Sequence, residues 1–385
     1  MSEIILPKFL NIGGGKLNSI EDILKKLNCT NPIIITDKTM VKLNIIEPLE
    51  KTLTKMQIKY KVFSNTMPEP TAESIKEGVN VIKNGSFDCI IAFGGGSPID
   101  SAKAMSILAA KGGKIEDYKF PFINLKSGIP LIAIPTTAGT GSEATKFTII
   151  TNEKNDEKML CVGPAFMPTA AIIDYELTYS VPKRTTADTG IDSLTHAIEA
   201  YVSKKSNLFS DTQAISAMRL IALNIRKAFN NGKDQDAREK LMIGSTLAGI
   251  AFSNSSVALV HGMSRPIGAF YHVPHGLSNA MLLPTVTEFS IPGAAQRYSE
   301  CAKAIGIASF NDSIEDSNKK LLTELKQLNI DLEVPSLEEF GIKKEMFLKN
   351  IDTMATQAIA SGSPNNNPII PSHKELTLLY KKLWD

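Results

Sequence analysis

DCIIAFGGGSPID, residues 88–100, decides how the first half of the chain is read. CIIAF (89–93) is an unbroken apolar run, as expected of a strand buried on both faces in a parallel sheet. GGGSPID (94–100) then turns the chain and opens a helix. Its glycines permit positive φ and let a ligand approach the backbone; Ser97 is placed to cap, Pro98 suits the first turn, and Asp100 sits where a capping box wants an acid. A helix N-terminus with bare N–H groups is an anion site, so a pyrophosphate is the natural guest of Gly95, Gly96 and Ser97, although a tight strand-to-helix turn alone would call for the same residues. The motif is not GxGxxG, and it lies on a later strand than the Rossmann fingerprint.

Outward from this turn, β-branched runs alternate with amphipathic segments as far as residue 183, which predicts βα units around a mainly parallel, Rossmann-like sheet. Strands are expected at 4–12, 32–36, 59–63, 131–135, 146–151, 158–162 and 170–173, with helices at 17–27, 39–56 (started or broken at Pro48), 72–83 and 97–110. A second turn, PTTAGTGSE (135–143), follows another apolar strand, and Thr136, Thr137 and Thr140 can offer hydroxyls to a phosphate or ribose. Asp37 directly follows the strand PIIIT, where an acid can accept from a ribose hydroxyl and repel a 2′-phosphate, favouring NAD over NADP. An N-cap on the next helix would call for the same residue. Beyond Pro182 the sequence turns to long alanine-, leucine- and serine-rich segments that read as all helical. The chain therefore divides into an α/β domain (1–183) and an all-α domain (184–385), with no flexible tether between them.

Four of the five histidines fall between residues 190 and 284. Asp192 and His196, in GIDSLTHAIEAY (190–201), are spaced i, i+4 and share a helix face. His261 and His275 lie fourteen residues apart in VHGMSRPIGAFYHVPHG (260–276). Pro266, Gly268 and Pro274 between them predict two short helical pieces joined by a turn. Three imidazoles would suit zinc; two or three with a carboxylate and room for a substrate oxygen suit Fe(II) or Zn(II).

Lysine plus arginine (42) nearly cancels aspartate plus glutamate (40), which gives no support for a nucleic-acid or polybasic membrane function. The four cysteines are widely spaced without a CxxC, so neither a disulfide framework nor a thiolate zinc site is indicated. The N-terminus lacks the pattern of a signal peptide and no apolar run spans a membrane, so a soluble, cytoplasmic protein is expected.

GGGSPID, AIPTTAGTGSE, TGIDSLTHAIEAY and HGMSRPIGAFYHVPHGLSNAMLLP, in that order, make the sequence resemble the iron-containing (group III) alcohol dehydrogenase family, which includes lactaldehyde reductase and 1,3-propanediol dehydrogenase. The resemblance covers nearly the whole chain. It implies an N-terminal nucleotide domain, a C-terminal helical domain, and hydride transfer in the cleft between them, linking NAD(H) to a small primary alcohol or aldehyde. Asp192, His196, His261 and His275 are then the ligands of one divalent ion, Fe(II) or sometimes Zn(II). Asp37, Gly95, Gly96, Ser97, Asp100, Thr136, Thr137 and Thr140 would form the NAD site, with Thr145, Lys158 and Leu177 as further candidates. A homodimer or larger homo-oligomer is implied as well.

One departure stands out. Many relatives carry histidine, a candidate proton relay, where this chain has Arg265; arginine stays protonated and cannot serve as a base. His272 is the substitute expected for the relay. Arg265 is left either a structural salt bridge, the reading preferred here, or an anionic or polyhydroxylated substrate end. A zinc polyol dehydrogenase of the glycerol type is the nearest alternative function. A lyase of the dehydroquinate synthase type would need a strongly basic pocket, and the metal region offers few lysines or arginines besides Arg265. A nucleotide-binding regulator with a dead metal site is opposed by the intact ligands.

Overall fold

A computed structural model describes residues 3–154 and 157–384. Its strands are β1 (Phe9–Ile12), β2 (Pro32–Ile35), β3 (Lys61–Phe63), β4 (Cys89–Gly94), β5 (Leu131–Pro135), β6 (Phe147–Asn152), β7 (Glu157–Val162) and β8 (Ala170–Ile173). Six form one parallel sheet in the order β1-β8-β5-β4-β2-β3, while β6 and β7 make a separate antiparallel hairpin. Side chains alternate across a strand, so the apolar runs of β2, β4 and β5 fill two cores at once. Ile33, Ile35, Ile90, Ala92 and Ala133 face one layer of helices, with Ile75, Ile99 and Ala102. Ile34, Ile91, Phe93, Ile132 and Ile134 face the other, with Ile20, Ile23, Leu49 and Leu53. This is the α/β, Rossmann-like class expected.

The chain divides into two compact units, Glu3–Val181 and Pro182–Asp385. The second is helical throughout its described residues. Its central helix, Lys183–Val202, buries 16 of its 20 residues, as a helix packed on all sides must. Leu208–Ala222, Gln235–Ser253 and His275–Ser290 pack around it.

Several boundaries differ from expectation for identifiable reasons. The first strand begins only at Phe9, since Pro7 has no N–H to give a ladder. The helix expected over 39–56 splits into Lys38–Lys42 and Glu47–Lys55, separated by Asn44 in the left-handed region (φ 55°). The two helical pieces joined by a turn that were expected around His261 and His275 are present, and the first runs Leu259–Tyr271 through Pro266. An internal proline costs a helix about 3 kcal/mol, and burial of nine of its residues outweighs that loss. The following helix, His275–Ser290, likewise continues through Pro284.

Candidate functional site

Asp192 and His196 project from the central helix, His261 from Leu259–Tyr271, and His275 is the first residue of the helix that Pro274 caps. Ligand atoms of Asp192, His261 and His275 all lie within 4.8 Å of one another. The Asp192 Oδ1 stands 3.4 Å from His261 Nε2, 3.7 Å from His275 Nε2 and 3.8 Å from His196 Nε2. Gly276 makes this convergence possible: a Cβ there would lie 2.3 Å from the Asp188 carbonyl oxygen, so only glycine lets the two helices approach so closely. His196 is sandwiched, stacking on Phe252 at 4.3 Å and on His261 at 4.4 Å between ring centroids.

Two further residues complete the cluster, and sequence reasoning missed both. Glu199 is buried, and its Oε2 meets His261 Nδ1 at 2.6 Å. It also accepts from the backbone N–H of Ala258 at 2.8 Å and of Val260 at 2.5 Å. The carboxylate thus keeps a proton on Nδ1 and turns the Nε2 edge of the ring toward Asp192. Its signal was present in sequence, because Glu199 falls three residues after His196 and seven after Asp192, on the same helix face. Asn279, one turn after His275, places its Nδ2 2.6 Å from Asp192 Oδ1 and 3.2 Å from both His261 Nε2 and His275 Nε2.

The electrostatics suit a cation. Burial raises the cost of charge on Asp192, yet the surrounding histidines hold its carboxyl well below the usual range. Burial likewise opposes charge on His261, and the carboxylates of Glu199 and Asp192 outweigh it to hold the pKa up at about 9. The residues fit a divalent metal on geometry as well as chemistry. Two ligand atoms each ~2.1 Å from an ion at a tetrahedral angle stand roughly 3.4 Å apart, close to the 3.4–3.8 Å separations found here. The Asn279 amide has two hydrogens for three converging acceptors, and its Oδ1 is buried without a hydrogen-bond partner. A carboxylate with imidazoles is a donor set for Fe(II) or Zn(II).

Replacing Glu199 by glutamine should lower metal affinity 10–100-fold, roughly the loss typical of groups that orient ligating histidines, because the new amide must face donors. Competition with a chromophoric chelator measures it. Undiminished affinity in a normally folded variant would remove the orienting role.

In the unit Glu3–Val181, β2 continues outward to β3 while β4 continues to β5 on its other side, so a switch point lies between β2 and β4. Gly94 ends β4 with φ 145°. The helix Gly96–Lys111 starts with Gly95 as N-cap and no side-chain cap, leaving its first N–H groups bare. Ser97 therefore does not cap, and Asp100 does not form the capping box expected of it. Its carboxylate instead accepts from Ser142 Oγ at 2.6 Å and Ile149 N at 3.0 Å, and burial raises its pKa. Thr137 and Thr140 pack over the first turn, 3.5 and 2.7 Å from where Cβ atoms of Gly95 and Gly96 would lie. Thr136 is buried, its N–H on the Gly94 carbonyl at 2.9 Å.

Asp37 forms the helix cap considered for it and keeps its second oxygen toward the glycine turn. Its Oδ1 caps the helix Lys38–Lys42 through Thr39 N (2.7 Å) and Met40 N (3.0 Å), while its Oδ2 faces the glycine turn, 3.6 Å from where a Gly94 Cβ would lie. Three other candidates have structural partners. Thr145 is buried and accepts from Lys103 Nζ, which also donates to the Thr145 and Phe147 carbonyls; burial lowers the Lys103 pKa to about 8 against the opposing charges of Asp100 and Glu143. Lys158 pairs with Glu69 at 2.8 Å, and Leu177 packs on the sheet core.

Arg265 lies one turn beyond His261 and is largely buried; desolvation lowers its pKa while Glu199 opposes. The salt bridge expected for it is not formed among the described residues, because Glu199 is already bound to His261 and two backbone N–H groups. His272 is exposed, held in the left-handed conformation (φ 53°) as the C-cap of its helix, outside the ligand cluster.

Two family models match the chain: iron-containing alcohol dehydrogenase over residues 7–175, and the C-terminal model of the Fe-containing alcohol dehydrogenase family over residues 186–384. The chain is 34% identical over 384 residues to alcohol dehydrogenase 4 of Schizosaccharomyces pombe, covering 99% of this chain and 89% of that protein. It is 32% identical over 382 residues to the NAD-dependent methanol dehydrogenase of Bacillus methanolicus, covering 99% of each. Among solved structures, a 1,3-propanediol oxidoreductase superposes with a TM-score of 0.94 at 30% identity, covering 100% of both chains.

Proposed function

The chain belongs to the iron-containing alcohol dehydrogenase family, and from that premise we propose that Asp192, His196, His261 and His275 together hold its divalent iron. The enzyme is an NAD-dependent alcohol dehydrogenase acting between a small primary alcohol and its aldehyde. The observation that carries the ligand assignment is the convergence of the Asp192, His261 and His275 donor atoms on one point, with His196 beside them. Bound there, iron supplies a Lewis acid for the substrate oxygen, and NAD(H) supplies or takes the hydride.

The chain's own residues do the rest. Glu199 fixes the ring and tautomer of His261. The bare N–H groups after Gly95 are assigned to the cofactor pyrophosphate, with Gly96, Ser97 and the hydroxyls of Thr136, Thr137 and Thr140 around it. Asp100 supports these turns from beneath. Arg265 keeps its proton and cannot act as a base, so passage of the substrate proton to water is assigned to the exposed His272. A cytoplasmic homodimer or larger homo-oligomer belongs to the same reading and rests on the family resemblance; no described helix is long and apolar enough to cross a membrane.

The test is anaerobic loading with Fe(II) followed by NADH oxidation with a panel of short aldehydes, hydroxyaldehydes and semialdehydes. NADH consumed mole for mole with one of them, dependent on iron, is expected; failure to retain iron or oxidise NADH with any would overturn the reading.

Asp37 is assigned to the ribose hydroxyls through its Oδ2. Asp37→Gly should raise the NADP(H)/NAD(H) preference on the order of tenfold by removing a charge that repels a 2′-phosphate. Glycine is itself a tolerable N-cap, so the fold should lose only a few tenths of a kcal/mol or so. An unaltered kcat/KM ratio for the two cofactors would leave Asp37 as a helix cap alone.

A further inference from the structure

In the unit Glu3–Val181, Cys29, Asp88 and Cys89 gather near the N-terminal ends of β2 and β4, one ligand atom of each within 4.8 Å of the others. Cys29 follows the helix Ile20–Leu27: its N–H bonds the Leu24 carbonyl at 2.9 Å, and its thiol meets the Leu27 carbonyl at 3.6 Å. Asp88 clamps the next two residues, accepting from Thr30 N at 2.6 Å, Thr30 Oγ1 at 3.0 Å and Asn31 N at 3.0 Å. This clamp pins the Cys29 turn against the start of β4, where Cys89 pairs in register with Pro32 of β2. Cys29 is 5% exposed and Cys89 fully buried, and their sulfurs lie within 4.8 Å of each other. With the Asp88 carboxylate spent on three donors, the two sulfurs are the remaining reactive pair of the cluster.

We propose that Cys29 and Cys89 are a dithiol that closes to an intramolecular disulfide under a thiol-selective two-electron oxidant, a modification site separate from the metal centre. Cys29 is the less buried of the two, so its sulfur meets the oxidant first. With an azo oxidant such as diamide, the Cys29 thiolate adds to one nitrogen. The Cys89 sulfur then attacks Cys29, the S–N bond breaks, and the oxidant leaves as a hydrazine carrying both thiol protons. Two sulfurs lose two electrons and the azo bond gains them. Cys89 and Gly94 sit at opposite ends of β4, so the link lies at the end of the sheet away from the glycine turn and turnover should be unchanged.

The test treats the full-length, iron-loaded enzyme with diamide, quenches, denatures and alkylates with iodoacetamide, then counts labels by intact mass. Labelled thiols should fall from the four free cysteines to two in a monomeric chain, return to four with dithiothreitol, and map to a Cys29–Cys89 peptide. Cys29→Ser and Cys89→Ser should each keep all three remaining thiols, so one folded variant suffices. Four labels after oxidation, or a disulfide through Cys161 or Cys301, would overturn the proposal. So would Zn(II) that shields the pair from alkylation until chelated, which would make the cluster a metal site.

Discussion

Asp192→Asn is expected to lower turnover by about a thousandfold or more and to leave the protein unable to retain iron. The substitution preserves shape and removes one charge, so it isolates electrostatics from packing. That charge is buried at 2% exposure, and the three histidines that hold its pKa down all approach Oδ1 of the carboxylate. A Lewis-acid metal contributes several kcal/mol to stabilising charge on a reacting oxygen; at ~1.4 kcal/mol per factor of ten, losing ~4 kcal/mol gives about the stated thousandfold. Iron per chain after anaerobic loading and gel filtration, read beside kcat, checks both halves. An asparagine variant with full iron and turnover would take Asp192 out of the ligand set.

Gly276→Ala should injure the same centre without touching a ligand. The added Cβ would lie 2.3 Å from the Asp188 oxygen and 2.7 Å from its carbonyl carbon, both backbone atoms of the central helix that no rotamer change can move. The helix carrying His275 must therefore retreat by about 1 Å, and misplacement on that scale costs on the order of 10²-fold in rate. Overpacking adds roughly 1–3 kcal/mol of destabilisation. Thermal melts with and without added iron, together with iron content, measure the two effects. A variant that melts and binds iron like the parent would show that this close approach is not what positions His275.

The α/β class was legible because the runs PIII, CIIAFG and LIAIP cannot be satisfied by a half-exposed sheet; burial on both faces is the arrangement that uses every residue. Pro284 was misleading: it predicts a helix that stops at Leu283, and only tertiary burial carries that helix on to Ser290. Asp100 was misread for a related reason: its partners Ser142 and Ile149 lie 42 and 49 residues away, beyond the reach of any spacing rule. Asp37 shows the opposite case: the helix cap read from its position is formed by one carboxylate oxygen, which leaves the other toward the glycine turn. Glu199 and Asn279 were within reach, each at helical spacing from a ligand, yet nothing in their own chemistry marks them until His261 and His275 are brought beside them.

Asp100 and Lys103, one turn apart on the helix behind the glycine turn, reach respectively to Ser142 and Ile149 and to Thr145 and Phe147. Both threonine- and glycine-rich turns are thereby fastened to one helix and one hairpin. A dinucleotide bound there, as proposed, would meet a cradle whose conformational entropy was surrendered when the chain folded, so little of its binding energy would go to ordering loops.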